Sequence, residues 1–223
     1  MNGKTIIVTG AAGNLGRAVV TRLHAAGADI IGIDRPGPAL AALTTIRTIE
    51  VTDLADEAQC AAAFAGLPGI HGVAHTVGGF AWASLADSPA ALWEQQFRMN
   101  VLTTLNVVRT AAMLMRANGS GSIVVVGAGA AQRASAGLSA YAAAKSAVHR
   151  MVESFADELK GDHIRVNAVL PGTMDTPQNR ADMPDADPTK WTRPAEVAEL
   201  IAFLLSDAAS GVTGGLLAVP GRG

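Results

Sequence analysis

Three glycines set between a strand and a helix constrain this chain more than any other feature of it. Lys4-Thr-Ile-Ile-Val-Thr9 is a short β-branched apolar run and reads as a buried strand. Gly10-Ala-Ala-Gly13-Asn14-Leu15-Gly16 follows at once, then Arg17 to Ala26 carries helical periodicity and Gly27 closes it as a C-cap. Asp29-Ile-Ile-Gly-Ile-Asp34 is a second strand, ending in an acid. This is a βαβ unit with glycines at both ends of its first turn. Glycine lets the backbone turn tightly and come close to a pyrophosphate, and a helix starting near Asn14 aims its unpaired N–H groups at that anion. A tight turn without a ligand is the plainer alternative.

Asp34 lies eighteen residues past Gly16, where an acid can bond a ribose 2′-hydroxyl and repel a 2′-phosphate. That favours NAD over NADP, although the adjacent Arg35 could receive a phosphate and keeps NADP open. Asp53, after a third strand spanning Thr45 to Val51, could bond an adenine amino group, with N-cap of a helix from Leu54 as its compatible second role.

Strands and helices go on alternating. Helical stretches are expected over Leu54–Ala65, over most of Pro89–Ala117, over Leu138–Lys160 and over Pro194–Leu205; strands are expected at Ile70–Thr76, Ser122–Val126, Ile164–Leu170 and Leu216–Val219. The pattern predicts an α/β fold of the Rossmann type: a doubly wound parallel sheet of about seven strands, helices on both faces, in one domain over 1–223. The one long irregular connection, 173–193, is a candidate substrate loop or lid. With 49% apolar residues and 16% charged, a large core can be buried. A net charge of −2 gives no sign of a nucleic-acid or anionic-membrane partner. No signal peptide or membrane-length apolar run is visible, so a soluble cytoplasmic protein is expected. The single cysteine, Cys60, reads as a small buried hydrophobe, and no His/Cys/Asp cluster has metal-ligand spacing.

The chemistry centres on Tyr141-Ala-Ala-Ala-Lys145, which contains the only tyrosine of the chain. Residues four apart share a helix face, so Lys145 would set its ammonium beside the Tyr141 hydroxyl. A nearby positive charge favours the phenolate and lowers a pKa that otherwise lies near ~10. Such a phenol can give and take a proton near neutral pH. A packing role for Tyr141 is the alternative.

Together these motifs resemble the short-chain dehydrogenase/reductase family over essentially the whole chain. Thr9 to Gly16 is similar to the family's cofactor turn and Tyr141-x-x-x-Lys145 to its catalytic pair. Asn100 falls where the family keeps a catalytic asparagine, and Pro171-Gly172-Thr173-Met-Asp-Thr176 resembles the element flanking the nicotinamide. The resemblance implies a hydride transfer between NAD(P) and a small molecule. Tyr141 would act as acid, Lys145 would bond the nicotinamide ribose, Asn100 would hold a water that links Lys145 to solvent, and Gly78 would lie in the cofactor site. It also implies a homodimer or homotetramer formed through the tyrosine helix and its neighbour.

Departures from the pattern carry information. Asn14 stands where a glycine is usual, and His75-Thr-Val-Gly78 where Asn-Asn-Ala-Gly is usual. The family serine lies thirteen residues before the tyrosine, and that position here is Ala128. Dihydropteridine reductases resemble this chain in that alanine, in a Gly-Gly-aromatic loop like Gly78-Gly79-Phe80, and in the stretches Asp175 to Arg180 and Met183 to Asp187. A simple ketone would lose one hydrogen-bond donor in the transition state, on the order of 3 kcal/mol. An imine-like or quinonoid substrate needs that donor less. Phe80, Ala128, Met183 and Trp191 are the expected substrate-pocket residues, with Trp82 beside them; Phe80, Trp82, Met183 and Trp191 could equally be core or interface residues. Neither Ser135 nor Ser139 is taken as a replacement serine, and His149 is expected to face away from Lys145. A dinucleotide-binding sensor without catalysis is the reading from another class, motivated by Ala128.

Overall fold

In the computed structural model, which describes residues 1–67 and 69–222, strands and helices follow one another as the alternation predicts. The strands are β1 (Thr5–Thr9), β2 (Asp29–Asp34), β3 (Arg47–Glu50), β4 (Gly72–His75), β5 (Gly121–Val126), β6 (Ile164–Pro171) and β7 (Leu216–Val219). The helices are α1 (Asn14–Ala25), α2 (Pro38–Ala41), α3 (Glu57–Phe64), α4 (Ala90–Phe97), α5 (Thr103–Asn118), α6 (Ser139–Leu159), α7 (Pro177–Asp182) and α8 (Pro194–Leu205). All seven strands pair in parallel in the order β3-β2-β1-β4-β5-β6-β7.

Alternate residues of β1 explain the two layers. Ile6 and Val8 join Leu15, Val19 and Leu23 of α1 and Val197, Ile201 and Leu205 of α8 in one core. Ile7 points the other way, into a core with Phe64 of α3, Val107 and Met115 of α5, and Val148 and Val152 of α6. Ile6, Ile7 and Val8 are all fully buried, which is why the strand reads as an unbroken apolar run. The strand order turns back at β1, between β2 and β4, and a crevice opens outside the strand ends at such a point.

The boundaries differ from the sequence reading where polar caps decide them. The helix expected from Leu54 starts at Glu57, because Asp56 is its N-cap and accepts from Gln59 N–H at 3.0 Å. Asp53 instead closes a turn, accepting from Ala55 N–H at 2.8 Å. Gly27, with φ +79°, sits one residue past the C-cap Ala26. The long helical stretch after Pro89 is two helices joined by a π-turn at Arg98–Leu102. Nor is 173–193 irregular throughout. Thr176 caps α7, accepting from Asn179 N–H at 3.2 Å with Pro177 at the first position, and Pro188–Lys190 makes a short 3₁₀ turn. Among the described residues no helix is long and apolar enough to cross a membrane.

Candidate active site

Two adjoining cavities occupy the crevice. The first, about 760 Å³, is lined by Gly10, Gly13, Asn14, Leu15 and Gly16 of the turn, by Asp34 and Arg35 after β2, and by Asp53 and Leu54 after β3. Gly78 and Thr176 complete its inner end. The turn is built by backbone alone: Gly13 N–H donates to Gly10 O at 3.0 Å, and Arg17 N–H to Gly13 O at 3.0 Å. Gly10 has φ +73°, and a Cβ on Gly16 would lie 1.9 Å from Gly10 O. The N-cap of α1 is Gly13, with no side-chain cap, so the first-turn N–H groups face the cavity without a competing acceptor. These features fit a pyrophosphate: a tight approach, an open helix N-terminus and no side chain in between.

Asp34 sits at the edge of this cavity and braces it. Its Oδ2 accepts from Ala12 N–H at 2.9 Å and its Oδ1 from Arg35 N–H at 2.8 Å. Asp53 is paired with Arg98, which also lines the cavity.

The second cavity, about 770 Å³, is mostly apolar and contains Tyr141. Phe80, Ala128 and Met183 line it as the sequence predicts, and so do Trp82 and Ser135. Phe80 stands edge-on to the Tyr141 ring, centroids 5.0 Å apart at 73°. Trp191 does not line it. Thr192 N–H donates to Thr173 O at 2.8 Å and Asp175 N–H to Thr192 O at 2.8 Å, and this pairing tucks Trp191 beneath the loop, 9% exposed. The expected nicotinamide clamp is divided: Pro171, Gly172 and Thr173 line the second cavity, Thr176 the first. Met174 and Asn179 line both and mark the junction. Sequence reasoning caught Asn179 only as part of the stretch Asp175 to Arg180 and did not name it as a site residue; it sits inside a six-residue helix too short to show periodicity. Its Nδ2 donates to Met174 O at 2.7 Å.

Lys145 and Asn100 lie behind the cavity walls, both buried. Lys145 Nζ donates to Val126 O at 2.7 Å. Asn100, held inward by the π-turn, clamps the loop through Gly79. Its Oδ1 accepts from Gly79 N–H at 3.1 Å, and its Nδ2 donates to Gly79 O at 3.0 Å and Gln96 O at 2.9 Å. The two side chains converge on Gly78, whose added Cβ would meet Asn100 Oδ1 at 2.8 Å and Lys145 Nζ at 3.1 Å. The expected lowering of the Tyr141 pKa is not found in this arrangement. Burial pushes the phenol up to about 12, while burial also drives Lys145 down to about 8. A charge drawn onto a backbone carbonyl, and itself weakened by burial, does not lower its neighbour.

His149 corrects a second expectation. It follows Lys145 by four residues, the spacing that shares a helix face, and it lies buried under Gly127-Ala128. Ala128 N–H donates to its Nε2 at a long 3.4 Å. His75 is equally buried, with Nδ1 2.8 Å from Thr9 Oγ1 and no hydrogen-bond partner for Nε2 among the described residues. Burial, then the Lys145 charge, holds His75 down to about 3 and His149 to about 4. Both imidazoles are thus neutral neighbours of the lysine. The His75 and His149 signals were present in the sequence, one at the end of β4 and one in step with Tyr141 and Lys145.

Lys145 should therefore cost stability. Its pKa falls from 10.5 unfolded to about 8 folded, so below pH 8 the charge is carried in both states and burial penalises the folded one. Between those values the folded state sheds the proton first, and stability rises with pH; Tyr141, raised from 10.0 to about 12, acts oppositely above pH 10. The Lys145 penalty is about 3 kcal/mol, less about 1 kcal/mol for the Val126 carbonyl that a substitution leaves unpaired. Lys145→Met is expected to unfold at higher temperature than the parent at pH 7 while losing activity. A lower melting temperature would show that the ammonium stabilises the fold.

The geometry can be set beside known proteins. A family model described as enoyl-(acyl carrier protein) reductase matches residues 10–221. The cis-4-hydroxycyclohexanecarboxylate dehydrogenase of Sinomonas cyclohexanicum is 40% identical over 147 residues, 62% of this chain and 59% of that one. Bovine L-xylulose reductase is 30% identical over 98% of this chain and 96% of its own. The first curated relatives are each matched over less than two thirds of their own length. Among solved structures, a short-chain type dehydrogenase/reductase from Mycobacterium ulcerans superposes with a TM-score of 0.93 at 30% identity, covering 100% of this chain and 90% of that one.

Proposed function

The chain belongs to the short-chain dehydrogenase/reductase family and is an oxidoreductase, and from that premise we propose that it reduces a small carbonyl or imine-like substrate, or oxidises the matching alcohol, with NAD. One observation carries the reading. The cavity with the glycine turn meets the cavity with Tyr141 at Met174 and Asn179. A dinucleotide along the first would end where the second begins. When bound, its nicotinamide supplies or accepts the hydride.

The protein's own part is positional and protonic. Tyr141 Oη gives the proton to the oxygen or nitrogen that gains negative charge, or removes it in the reverse direction. A phenol raised to about 12 holds its proton at neutral pH and serves as the acid of the reductive direction. Lys145 is held behind the wall by Val126 O and is the candidate partner for the ribose. Asn100 fixes Gly79, and so the loop that carries Phe80 against Tyr141. Ala128 lines the cavity without a hydroxyl, which supports a pterin-like quinonoid as the second reading of the substrate. A non-catalytic sensor has no use for a buried lysine set behind a phenol in an apolar cavity. Self-association is read from exposed Trp93, Phe97, Met99 and Met113, on and between α4 and α5.

Asp34 supports NAD over NADP, since its carboxylate sits on the rim of the first cavity and is held in place by two backbone N–H groups. NADH is expected to bind tighter than NADPH, by roughly tenfold or more, because a charged phosphate beside a carboxylate is repelled. In Asp34→Ala the gap should narrow to within a few-fold. Equal binding of the two by the parent protein would defeat this assignment.

A further inference from the structure

The substrate cavity is one-sided in charge, and that narrows what it can accept. Asp182, at the end of α7, is the only ionisable carboxylate on its walls, and no lysine, arginine or histidine lines it among the described residues. Nearby cations are engaged elsewhere or outside the lining: Arg180 makes a two-pronged pair with Asp175 at 2.6 and 2.9 Å, and Arg133 is not a wall residue. Asp182 Oδ1 accepts from Gln178 Nε2 at 2.7 Å, while its Oδ2 receives no hydrogen bond from the described residues.

Two aromatic side chains frame the same space with their surfaces open. Phe80 and Trp82 are 63% and 65% exposed, although both line the cavity. Their loop is tied across the entrance by Ala83 N–H donating to Gly137 O at 3.0 Å. Trp82 lies on Gly137 so closely that a Cβ there would come within 2.1 Å of its Nε1, which sets the position of the indole. Open aromatic faces attract a ring by stacking and attract a cation through the ring quadrupole. An unpaired carboxylate adds to the second effect and repels a carboxylate or phosphate.

We propose that this cavity selects a ring-bearing substrate that carries a protonated amine, with the amine toward Asp182, and that it discriminates against anionic substrates. The inference rests on the reading of this cavity as the substrate site. It sets the chain apart from the relative named for a cyclohexanecarboxylate, whose substrate is an anion. The reacting group stays at Tyr141; the charge and the ring give orientation. Because Asp182 is exposed, solvent and salt screen it, so a several-fold preference is expected rather than an absolute one.

The test uses three probes of one shape, benzylamine, benzyl alcohol and benzoate, titrated into the full chain at pH 7 and low salt by ligand-observed NMR. Benzylammonium should bind roughly fivefold tighter than benzoate, with benzyl alcohol between them, as expected for one screened charge. In Asp182→Asn the spread should collapse, in Asp182→Lys the order should invert, and in Trp82→Ala all three should weaken. Benzoate binding as tightly as benzylammonium in the parent would overturn the inference. So would a spread that survives Asp182→Asn, or no binding of any probe at millimolar concentration. Binding in the predicted order with no turnover of any ketone or alcohol would instead sink the hydride-transfer reading and leave the charge selection standing.

Discussion

Tyr141→Phe is expected to lower kcat by about 10²- to 10⁴-fold, the usual contribution of a positioned general acid, while leaving NADH affinity within a few-fold of the parent. The substitution removes one oxygen and keeps the ring, so the edge-on contact with Phe80 at 5.0 Å survives. Tyr141 is the only phenol on the cavity wall among the described residues. Ala128 has no donor, and Ser135 lies on the exposed approach to α6 rather than on its inner face. Stability at neutral pH should hold, since a phenol raised to about 12 is protonated in the folded and unfolded states alike. Steady-state turnover on a panel of cyclic ketones, read alongside a melting curve and an NADH titration, checks all three statements. Unchanged turnover would remove the tyrosine from the chemistry.

Gly16→Val should abolish dinucleotide binding and destabilise the fold together. A Cβ at this position would meet Gly10 O at 1.9 Å, Gly10 C at 2.7 Å and Ala11 Cα at 2.9 Å. All three are backbone atoms of the turn itself, so no side chain can swing away. The helix can make room only by lifting from β1, which pulls Leu15, Val19 and Leu23 out of the core they share with α8. Overpacking of this kind costs about 1–3 kcal/mol or more. The same movement withdraws the first-turn N–H groups from the anion, and a loss of affinity beyond roughly a hundredfold is expected as those contacts disappear together. Gly161→Ala is the control. It lies in a short turn where an added Cβ meets nothing within 4 Å, and it should alter neither stability nor binding.

The parts of the fold legible in the sequence were those set by periodicity and by local punctuation. The apolar runs of β1 and β5 are unbroken because both faces of the sheet are covered, and the glycine turn lies where its strand and helix dictate. What escaped was decided by contacts between distant residues or by short range capping. The π-turn that carries Asn100 shows no periodic signal in Arg98-Met-Asn-Val-Leu102, and the amide it holds inward is engaged by Gly79, twenty-one residues away. Trp191 reads in the sequence equally as a pocket or a core residue, and a backbone pairing between Thr173 and Thr192 draws it inward. Asn179 was visible only within the resemblance over Asp175 to Arg180, since α7 is too short for a periodic pattern that would single it out. His149 was different. Its four-residue step from Lys145 already placed it on the inner face, and the spacing argument that joined Tyr141 to Lys145 applies equally to it. The pKa of Tyr141 depends on burial, which no spacing rule supplies.

The central claim is that one nicotinamide dinucleotide lies across the two cavities with its reactive end beside Tyr141. Titration of the protein with NADH, followed by calorimetry, tests this most directly. The account predicts saturation at one dinucleotide per chain in the parent, retained affinity in Tyr141→Phe and no measurable binding in Gly16→Val. Absence of binding by the parent, or equal binding by Gly16→Val, would contradict it.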